Sequence, residues 1–125
     1  MVLDASAVLA LIQDEPGADL VANALPGAVL GAANLAEIVG KLVDADADAS
    51  NIQALLRAAG VTIEPLLAED AQLVGAMRAL TGGRALSLGD RCCLALAVRS
   101  APAEVLTADR TWGDLDLPIR VRRLR

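Results

Sequence analysis

The stretch MVLDASAVLALI, residues 1–12, joins a short apolar run to a helical pattern through a single carboxylate, Asp4. The first three residues are typical of a buried strand, and the apolar spacing of ASAVLALI predicts a helix that begins directly after Asp4. A strand that passes at once into a helix is the opening unit of an α/β fold. Asp4 is therefore predicted at the carboxyl end of the first strand.

The rest of the chain repeats this alternation. After the break at DEPG, helices are predicted at residues 18–25, 34–48, 51–59, 68–83 and 89–101, and strands at residues 26–32, 61–66, 104–109 and 118–124, with a turn at Ala101 and Pro102. Alternating strands and helices predict a parallel sheet covered by helices on both faces. We expect one domain over residues 1–125, because the chain is too short for two ordinary ones.

Composition narrows the class of protein. The chain is 55% hydrophobic, with no Phe, no Tyr and one tryptophan, Trp112, so the core is expected to be aliphatic. No run approaches the about 20 apolar residues of a membrane span, and no basic leader precedes the first apolar run, so we expect a cytoplasmic protein that makes no membrane contact. The adjacent Cys92 and Cys93 are interpreted as packing residues of a helix in a reducing compartment.

Two features of the charged residues restrict the chemistry. The sequence has no histidine, which excludes Ser-His-Asp catalysis and His-ligated zinc. Residues 1–70 carry eleven acids and two bases, whereas residues 71–125 carry nine arginines and five acids. The arginine-rich end IRVRRLR, residues 119–125, fits either contacts to nucleic-acid phosphates or a charged edge strand.

Four acids occur at corresponding places of the predicted elements. Asp4 and Asp109 stand at the carboxyl ends of strands, and Glu37 and Asp90 lie in the first turns of helices. Because the carboxyl ends of parallel strands meet at one edge of the sheet, these acids are expected in one crevice. Such a cluster requires a cation, and oxygen ligands favour Mg²⁺ or Mn²⁺, whose usual chemistry is on phosphates.

The same acids have a second interpretation. Ser87 with Asp90, and Asn34 with Glu37, have the spacing of helix caps, in which the acid stabilises a helix start and has no catalytic role. Composition and spacing leave both interpretations open.

The segments MVLDASAVLALI, NLAEIVGKL, ALSLGDRCCLALA and VLTADRTWGDL, in this order, resemble the PIN-domain ribonucleases, and among them the VapC toxins of bacterial toxin–antitoxin pairs. The resemblance implies a three-layer α/β/α domain with a mostly parallel sheet of about five strands. It also implies that Asp4, Glu37, Asp90 and Asp109 bind Mg²⁺ or Mn²⁺, that a cognate VapB-type antitoxin inhibits the protein, and that the chain forms a homodimer.

Other polar residues have supporting or open roles. Ser6 is interpreted either as orienting Asp4 or as a hydroxyl near a helix start. Thr107 lies on the same strand face as Asp109, so a hydrogen bond to the acid cluster is expected. Asn34 resembles the polar residue of the family's second motif, although capping alone accounts for it. The remaining candidates are Arg84 and Arg91 as RNA phosphate contacts and Asp114 as a fifth acid or a solvated turn residue.

The functional hypothesis is a toxin that is a metal-dependent endoribonuclease, which cleaves RNA by a metal-activated water. By resemblance, its products carry 5′-phosphate and 3′-hydroxyl ends. A phosphatase of the HAD type is disfavoured, because that chemistry needs a second Asp two residues after the first, where Ser6 stands. The alternative is a non-catalytic RNA- or protein-binding domain, in which the acids are only caps and the arginine-rich strand does the binding.

Overall fold

The computed structural model describes residues 1–80, 82–100, 103–112 and 115–125. The strands are β1 (Val2–Leu3), β2 (Val29–Gly31), β3 (Thr62–Glu64), β4 (Ala103–Thr107) and β5 (Ile119–Arg123). The α-helices are α1 (Ala5–Ile12), α2 (Ala18–Ala24), α3 (Ala32–Asp44), α4 (Ile52–Ala58), α5 (Ala68–Ala76) and α6 (Leu88–Arg99).

The strands form one sheet in the order β3-β2-β1-β4-β5, and every neighbouring pair is parallel. β1 is central, with Leu3 in register with Leu30 on one side and with Leu106 on the other. The chain moves outward from β1 in one direction through β2 and β3, and in the other through β4 and β5. The direction therefore reverses between β1 and β4, and the crevice at such a reversal is where α/β proteins bind ligands.

Two apolar cores lie on the two faces of the sheet. Leu3, Leu30 and Leu106 belong to the core that contains side chains of α1 to α4, while Val2 and Val105 belong to the core that contains α5 and α6. Neighbouring strand residues point to opposite faces, which is why both faces are covered by helices. The predicted three-layer α/β/α fold with about five strands is confirmed.

The predicted helix over residues 68–83 is wrong in its second half. α5 ends at Ala76, and two short 3₁₀ turns follow at Met77–Ala79 and Gly83–Ala85. Met77 is fully buried, and a Cβ on Gly83 would lie only 1.9 Å from the Met77 carbonyl oxygen. The chain turns back tightly here, and the glycine permits the close approach.

The arginine-rich end forms the edge strand β5. Arg120 and Arg122 point to one side and lie 3.8 and 3.7 Å from the carboxylate of Glu104 on β4. Arg125 pairs with Glu15 at 2.8 Å. These contacts agree with the charged edge-strand interpretation.

The turn predicted at residues 101–102 lies outside the described residues.

Candidate active site

Asp4 links the central strand to the first helix. Its backbone N–H donates to the Leu106 carbonyl of β4 at 2.9 Å, and its side chain caps α1 by accepting from Ser6 N. The residue is 3% exposed. Burial raises the pKa of Asp4, and the Asp90 charge raises it further, while hydrogen bonds from Ser6 and Thr107 oppose the shift.

Two hydroxyls hold the Asp4 carboxylate. Ser6 Oγ donates to Asp4 Oδ2 at 2.5 Å, and Thr107 Oγ1 donates to the same oxygen at 3.1 Å. Each hydroxyl also accepts a backbone N–H from the loop after β4: Ser6 Oγ from Ala108 at 2.9 Å and Thr107 Oγ1 from Asp109 at 3.0 Å. This network ties together the carboxyl ends of β1 and β4 and fixes the orientation of Asp4.

Glu37 comes from α3, which follows β2 without a loop. Because α3 begins at Ala32, Glu37 lies one turn further along the helix than predicted. Its Oε1 is buried and has no hydrogen-bond partner among the described residues. Burial raises the pKa of Glu37, with further contributions from the charges of Asp4 and Asp90. A Cβ on Gly89 would lie 2.3 Å from Glu37 Oε1, so α6 begins directly against this carboxylate.

The capping interpretation of Asn34 is wrong. Gly31 is the N-cap of α3, and Asn34 lies within the first turn, fully buried. Its side-chain amide donates to the Gly89 carbonyl at 3.0 Å. Asn34 thus connects the helix that carries Glu37 to the residue that precedes Asp90. Sequence spacing had no means of detecting this contact, because the two residues are 55 positions apart.

Asp90 does cap a helix, as predicted. Ser87 N donates to Asp90 Oδ2 at 2.9 Å, and Asp90 N donates to Ser87 Oγ at 3.1 Å, which completes a capping box at the start of α6. Asp90 nevertheless lines the same cavity as Asp4 and Glu37. The two interpretations made from sequence therefore do not exclude each other at this residue.

Asp109 follows β4 and also lines this cavity. Its Oδ1 accepts hydrogen bonds from Thr111 N at 2.7 Å and Thr111 Oγ1 at 2.6 Å. One of its oxygens is therefore engaged in a local turn. The charges of Asp4 and Asp90 act on Glu37, whereas Asp109 does not contribute to the raised pKa values of Asp4 or Glu37.

The cavity has a volume of about 310 Å³ and lies at the carboxyl edge of the sheet, where the strand order reverses. We call it the acid cavity. It is lined by Asp4, Ser6, Leu9, Glu37, Lys41, Ser87, Asp90 and Asp109.

Lys41 is a cavity residue that sequence reasoning missed. Lys41 follows Glu37 by four positions on α3, which places the two side chains on one helix face. This spacing could have identified Lys41 as a neighbour of Glu37 from the sequence. Its charge lowers the pKa of Glu37 and so partly offsets the repulsion among the acids.

The donor set of the cavity fits a hard divalent cation. Its carboxylates are oxygen donors, and Glu37 Oε1 is buried and unpartnered among the described residues. Burial and the neighbouring acids raise the pKa values of Asp4 and Glu37 in spite of the opposing hydrogen bonds and the Lys41 charge. As the side chains stand, no three Asp, Glu or Cys residues of the described chain are arranged around one point as a metal cluster. An ion would therefore have to draw these carboxylates together.

The two arginines that were predicted to contact RNA, Arg84 and Arg91, have different environments in the structure. Arg84 is exposed in the second 3₁₀ turn and remains a candidate. Arg91 is 8% exposed, and its Nη1 donates to the Val74 carbonyl at 2.8 Å. It is therefore not placed on the surface for a phosphate contact, and the phosphate assignment does not fit. Asp114, the possible fifth acid, lies outside the described residues.

The two cysteines pack as predicted. Both are buried and unbridged, and burial raises the pKa of each thiol. Trp112 is fully buried in the core of α5 and α6.

Within the described segments, no helix is long and apolar enough to cross a bilayer.

A cavity lined by four carboxylates therefore lies at the reversal point of a three-layer parallel α/β sheet, the place where such folds bind ligands. The family model of the PIN domain matches residues 1–117, and the chain belongs to this family. PIN domains are generally nucleases.

One solved structure, described as a toxin–antitoxin complex from Klebsiella pneumoniae, has a similar fold. The TM-score is 0.67 at 17% sequence identity, and the match covers 86% of this chain and 85% of that chain. At this identity the similarity is one of fold. Among curated proteins, no sequence matches this chain.

Proposed function

We propose that this chain is the toxin of a type II toxin–antitoxin pair, a VapC-type endoribonuclease that depends on Mg²⁺ or Mn²⁺. The observation that carries the proposal is the acid cavity, in which the charges of Asp4 and Asp90 raise the pKa of Glu37 and the buried Glu37 Oε1 has no hydrogen-bond partner among the described residues. Membership of a family of nucleases supports the reaction class.

The partners belong to the same proposal. The similar solved structure is described as a toxin–antitoxin complex, which supports a cognate antitoxin, here proposed to be of the VapB type. We also propose that the PIN domain spans residues 1–125 and assembles as a homodimer, as the resemblance to VapC toxins implies.

Asp4, Glu37, Asp90 and Asp109 would hold the ion. A divalent cation bound there lowers the pKa of a water molecule and offsets negative charge on the phosphate. The chain's own residues fix the geometry: Ser6 and Thr107 orient Asp4, and the cap at Ser87 orients Asp90. The Lys41 ammonium group in the same cavity attracts the anionic RNA backbone. The products carry 5′-phosphate and 3′-hydroxyl ends.

The test is cleavage of total cellular RNA by the purified chain without antitoxin, with Mg²⁺ or Mn²⁺ and with EDTA. Asp90→Asn removes a charge from the cavity but keeps an oxygen that can accept from Ser87 N, so the variant is expected to fold and to lose cleavage. Asp48→Asn is the matched control, because Asp48 is an exposed acid that accepts a backbone N–H from Ser50 at 2.9 Å.

Cleavage that requires the metal, survives in Asp48→Asn and is absent from Asp90→Asn supports the proposal. Full cleavage by folded Asp90→Asn, or cleavage that EDTA does not affect, contradicts it. RNA binding without cleavage under any metal, with an affinity that Asp90→Asn does not change, indicates the non-catalytic binding domain instead.

A further inference from the structure

Asp109 differs from the other acids of the acid cavity in the kind of segment that carries it. Asp4 and Asp90 stand at the starts of α1 and α6, and Glu37 lies within α3. Asp109 comes after the end of β4 at Thr107 and belongs to no helix or strand. Because this segment has no regular hydrogen-bond pattern, the orientation of the Asp109 carboxylate depends on local side-chain contacts.

The main chain and the side chain of Asp109 are held by different residues. Thr107 Oγ1 accepts the Asp109 N–H at 3.0 Å, which holds the main chain. Thr111 holds the carboxylate: its N–H donates to Asp109 Oδ1 at 2.7 Å, and its Oγ1 donates to the same oxygen at 2.6 Å. In the part of the chain that the structure describes, Thr111 is the only hydrogen-bond partner of this carboxylate.

These two bonds determine which oxygen of Asp109 is available to an ion. An ionised carboxylate oxygen has two acceptor positions, and Thr111 takes both positions of Oδ1. Oδ2 is then the oxygen that can bind a cation. Asp4 has the same arrangement, because its Oδ2 accepts from the hydroxyls of Ser6 and Thr107. Each of these two aspartates therefore offers a cation one oxygen.

The spacing of Asp109 and Thr111 also occurs outside the acid cavity. Ser50 holds Asp48 in the same way, with Ser50 N at 2.9 Å and Ser50 Oγ at 2.7 Å from Asp48 Oδ1. Asp48 is exposed and does not line the acid cavity. The turn alone is therefore a local structure, and it can act on an ion only where its aspartate lines the cavity.

We infer that Thr111 is a positioning residue of the metal site, which holds Asp109 as a ligand that binds a cation through one oxygen. The inference rests on the proposed function, because it requires an ion in the acid cavity. Mg²⁺ is small and needs near-octahedral geometry, whereas Ca²⁺ takes more oxygens and often both oxygens of one carboxylate. An aspartate restricted to one oxygen therefore favours Mg²⁺ or Mn²⁺ over Ca²⁺.

The test measures Mn²⁺ binding to the full chain without RNA, from the electron paramagnetic resonance signal of the unbound ion. Thr111→Val removes the hydroxyl but keeps the backbone N–H and nearly the same shape. Because Thr111 orients a metal ligand, Thr111→Val should weaken Mn²⁺ binding about tenfold or more. Thr111→Ser keeps a hydroxyl and should bind Mn²⁺ as the unaltered chain does. Ca²⁺ should displace Mn²⁺ more easily from Thr111→Val, because one acceptor position of Asp109 Oδ1 becomes free.

Ser50→Ala is the matched control, because it removes the same kind of hydroxyl bond from an aspartate outside the acid cavity and should leave Mn²⁺ binding unchanged. Asp90→Asn should weaken Mn²⁺ binding, which identifies the bound ion as one in the acid cavity. Trp112 follows Thr111, is fully buried and is the only tryptophan, so its fluorescence reports on the loop. Without metal, this fluorescence should be the same in Thr111→Val as in the unaltered chain.

The inference is overturned when Thr111→Val changes neither Mn²⁺ binding nor its competition with Ca²⁺, or when Thr111→Ser binds as weakly as Thr111→Val. Weaker binding accompanied by altered Trp112 fluorescence also overturns it, because Thr111 would then support only the loop. Metal-dependent RNA cleavage with unchanged Mn²⁺ binding in Thr111→Val leaves the nuclease and removes the inference. The expected Mn²⁺ results in a chain that cleaves no RNA support the inference and remove the nuclease. Absence of Mn²⁺ binding by the unaltered chain contradicts both.

Discussion

Replacing Ser6 with alanine removes a hydroxyl that holds together the centre of the acid cavity. Ser6 Oγ donates to Asp4 Oδ2 at 2.5 Å, accepts the Ala108 N–H at 2.9 Å, and lies 3.1 Å from Thr107 Oγ1. Ser6→Ala therefore removes a bond to a carboxylate and leaves a backbone donor without its acceptor.

The size of the effect follows from these two losses. A hydrogen bond to a charged group contributes about 1.5–3 kcal/mol, and an unsatisfied buried donor costs about 1–3 kcal/mol. Ser6 is only partly buried, so water replaces part of what is lost. We expect Ser6→Ala to lower the free energy of unfolding by about 2 kcal/mol at pH 7.

The effect should depend on pH with a defined sign. Hydrogen bonds from Ser6 lower the pKa of Asp4, so they stabilise its ionised form. Their contribution to stability is present when Asp4 is ionised and is lost as the pH falls through its folded-state pKa. At lower pH, Ser6→Ala should therefore lower the free energy of unfolding only by the cost of the unpaired Ala108 N–H, about 1 kcal/mol.

The assay is urea unfolding followed by tryptophan fluorescence, for which Trp112 is a single, fully buried probe. Ser50→Ala is the matched control, because Ser50 Oγ donates to Asp48 two residues away at 2.7 Å on the surface. We expect the control to change stability by less than about 0.5 kcal/mol. A Ser6→Ala effect as small as the control, or one of the same size at pH 4 and pH 7, would refute the reasoning.

Three further predictions concern charge. Mn²⁺ should raise the melting temperature at pH 7. As the pH is lowered, this increase should begin to disappear at a higher pH than for ordinary carboxylates, because the raised pKa values of Asp4 and Glu37 let protons compete with the metal ion for these groups. Thermal melts over a pH series measure the effect. Lys41→Gln should raise the pKa of Glu37, measured by carbon NMR of its carboxyl group, while Lys41→Arg should leave it nearly unchanged. Arg99→Ala should lower the free energy of unfolding by about 1–2 kcal/mol in urea unfolding, because the buried Asp70 loses a 3.0 Å charged hydrogen bond from a side chain that is partly exposed. An unchanged midpoint would contradict this.

The order of elements was predictable because it depends on local pattern. The strand, acid and helix at Asp4 and the capping box at Ser87 and Asp90 are set by residues within a few positions of one another, and the structure contains both. The break after Ala76 was not predictable from periodicity, because it depends on the packing of Gly83 against the backbone of Met77.

Within the candidate site, the four acids predicted in one crevice do line one cavity, but the sequence did not predict their environments. The spacing suggested a cap at Asn34, whereas the residue is buried and bonded to Gly89. It suggested a surface contact for Arg91, whereas the guanidinium is held by Val74. Each correction depends on a partner on another element, which no local rule identifies.

The sequence by itself determined an α/β alternation, an aliphatic core, a chemistry without histidine, and acids at the ends of strands and the starts of helices. These properties follow from composition and from periodicity along the chain. Only the tertiary structure decided which carboxylates act on one another and that Lys41 joins them in one cavity. The reason is physical: burial and pKa shifts arise when helices from distant parts of the chain pack against one sheet edge.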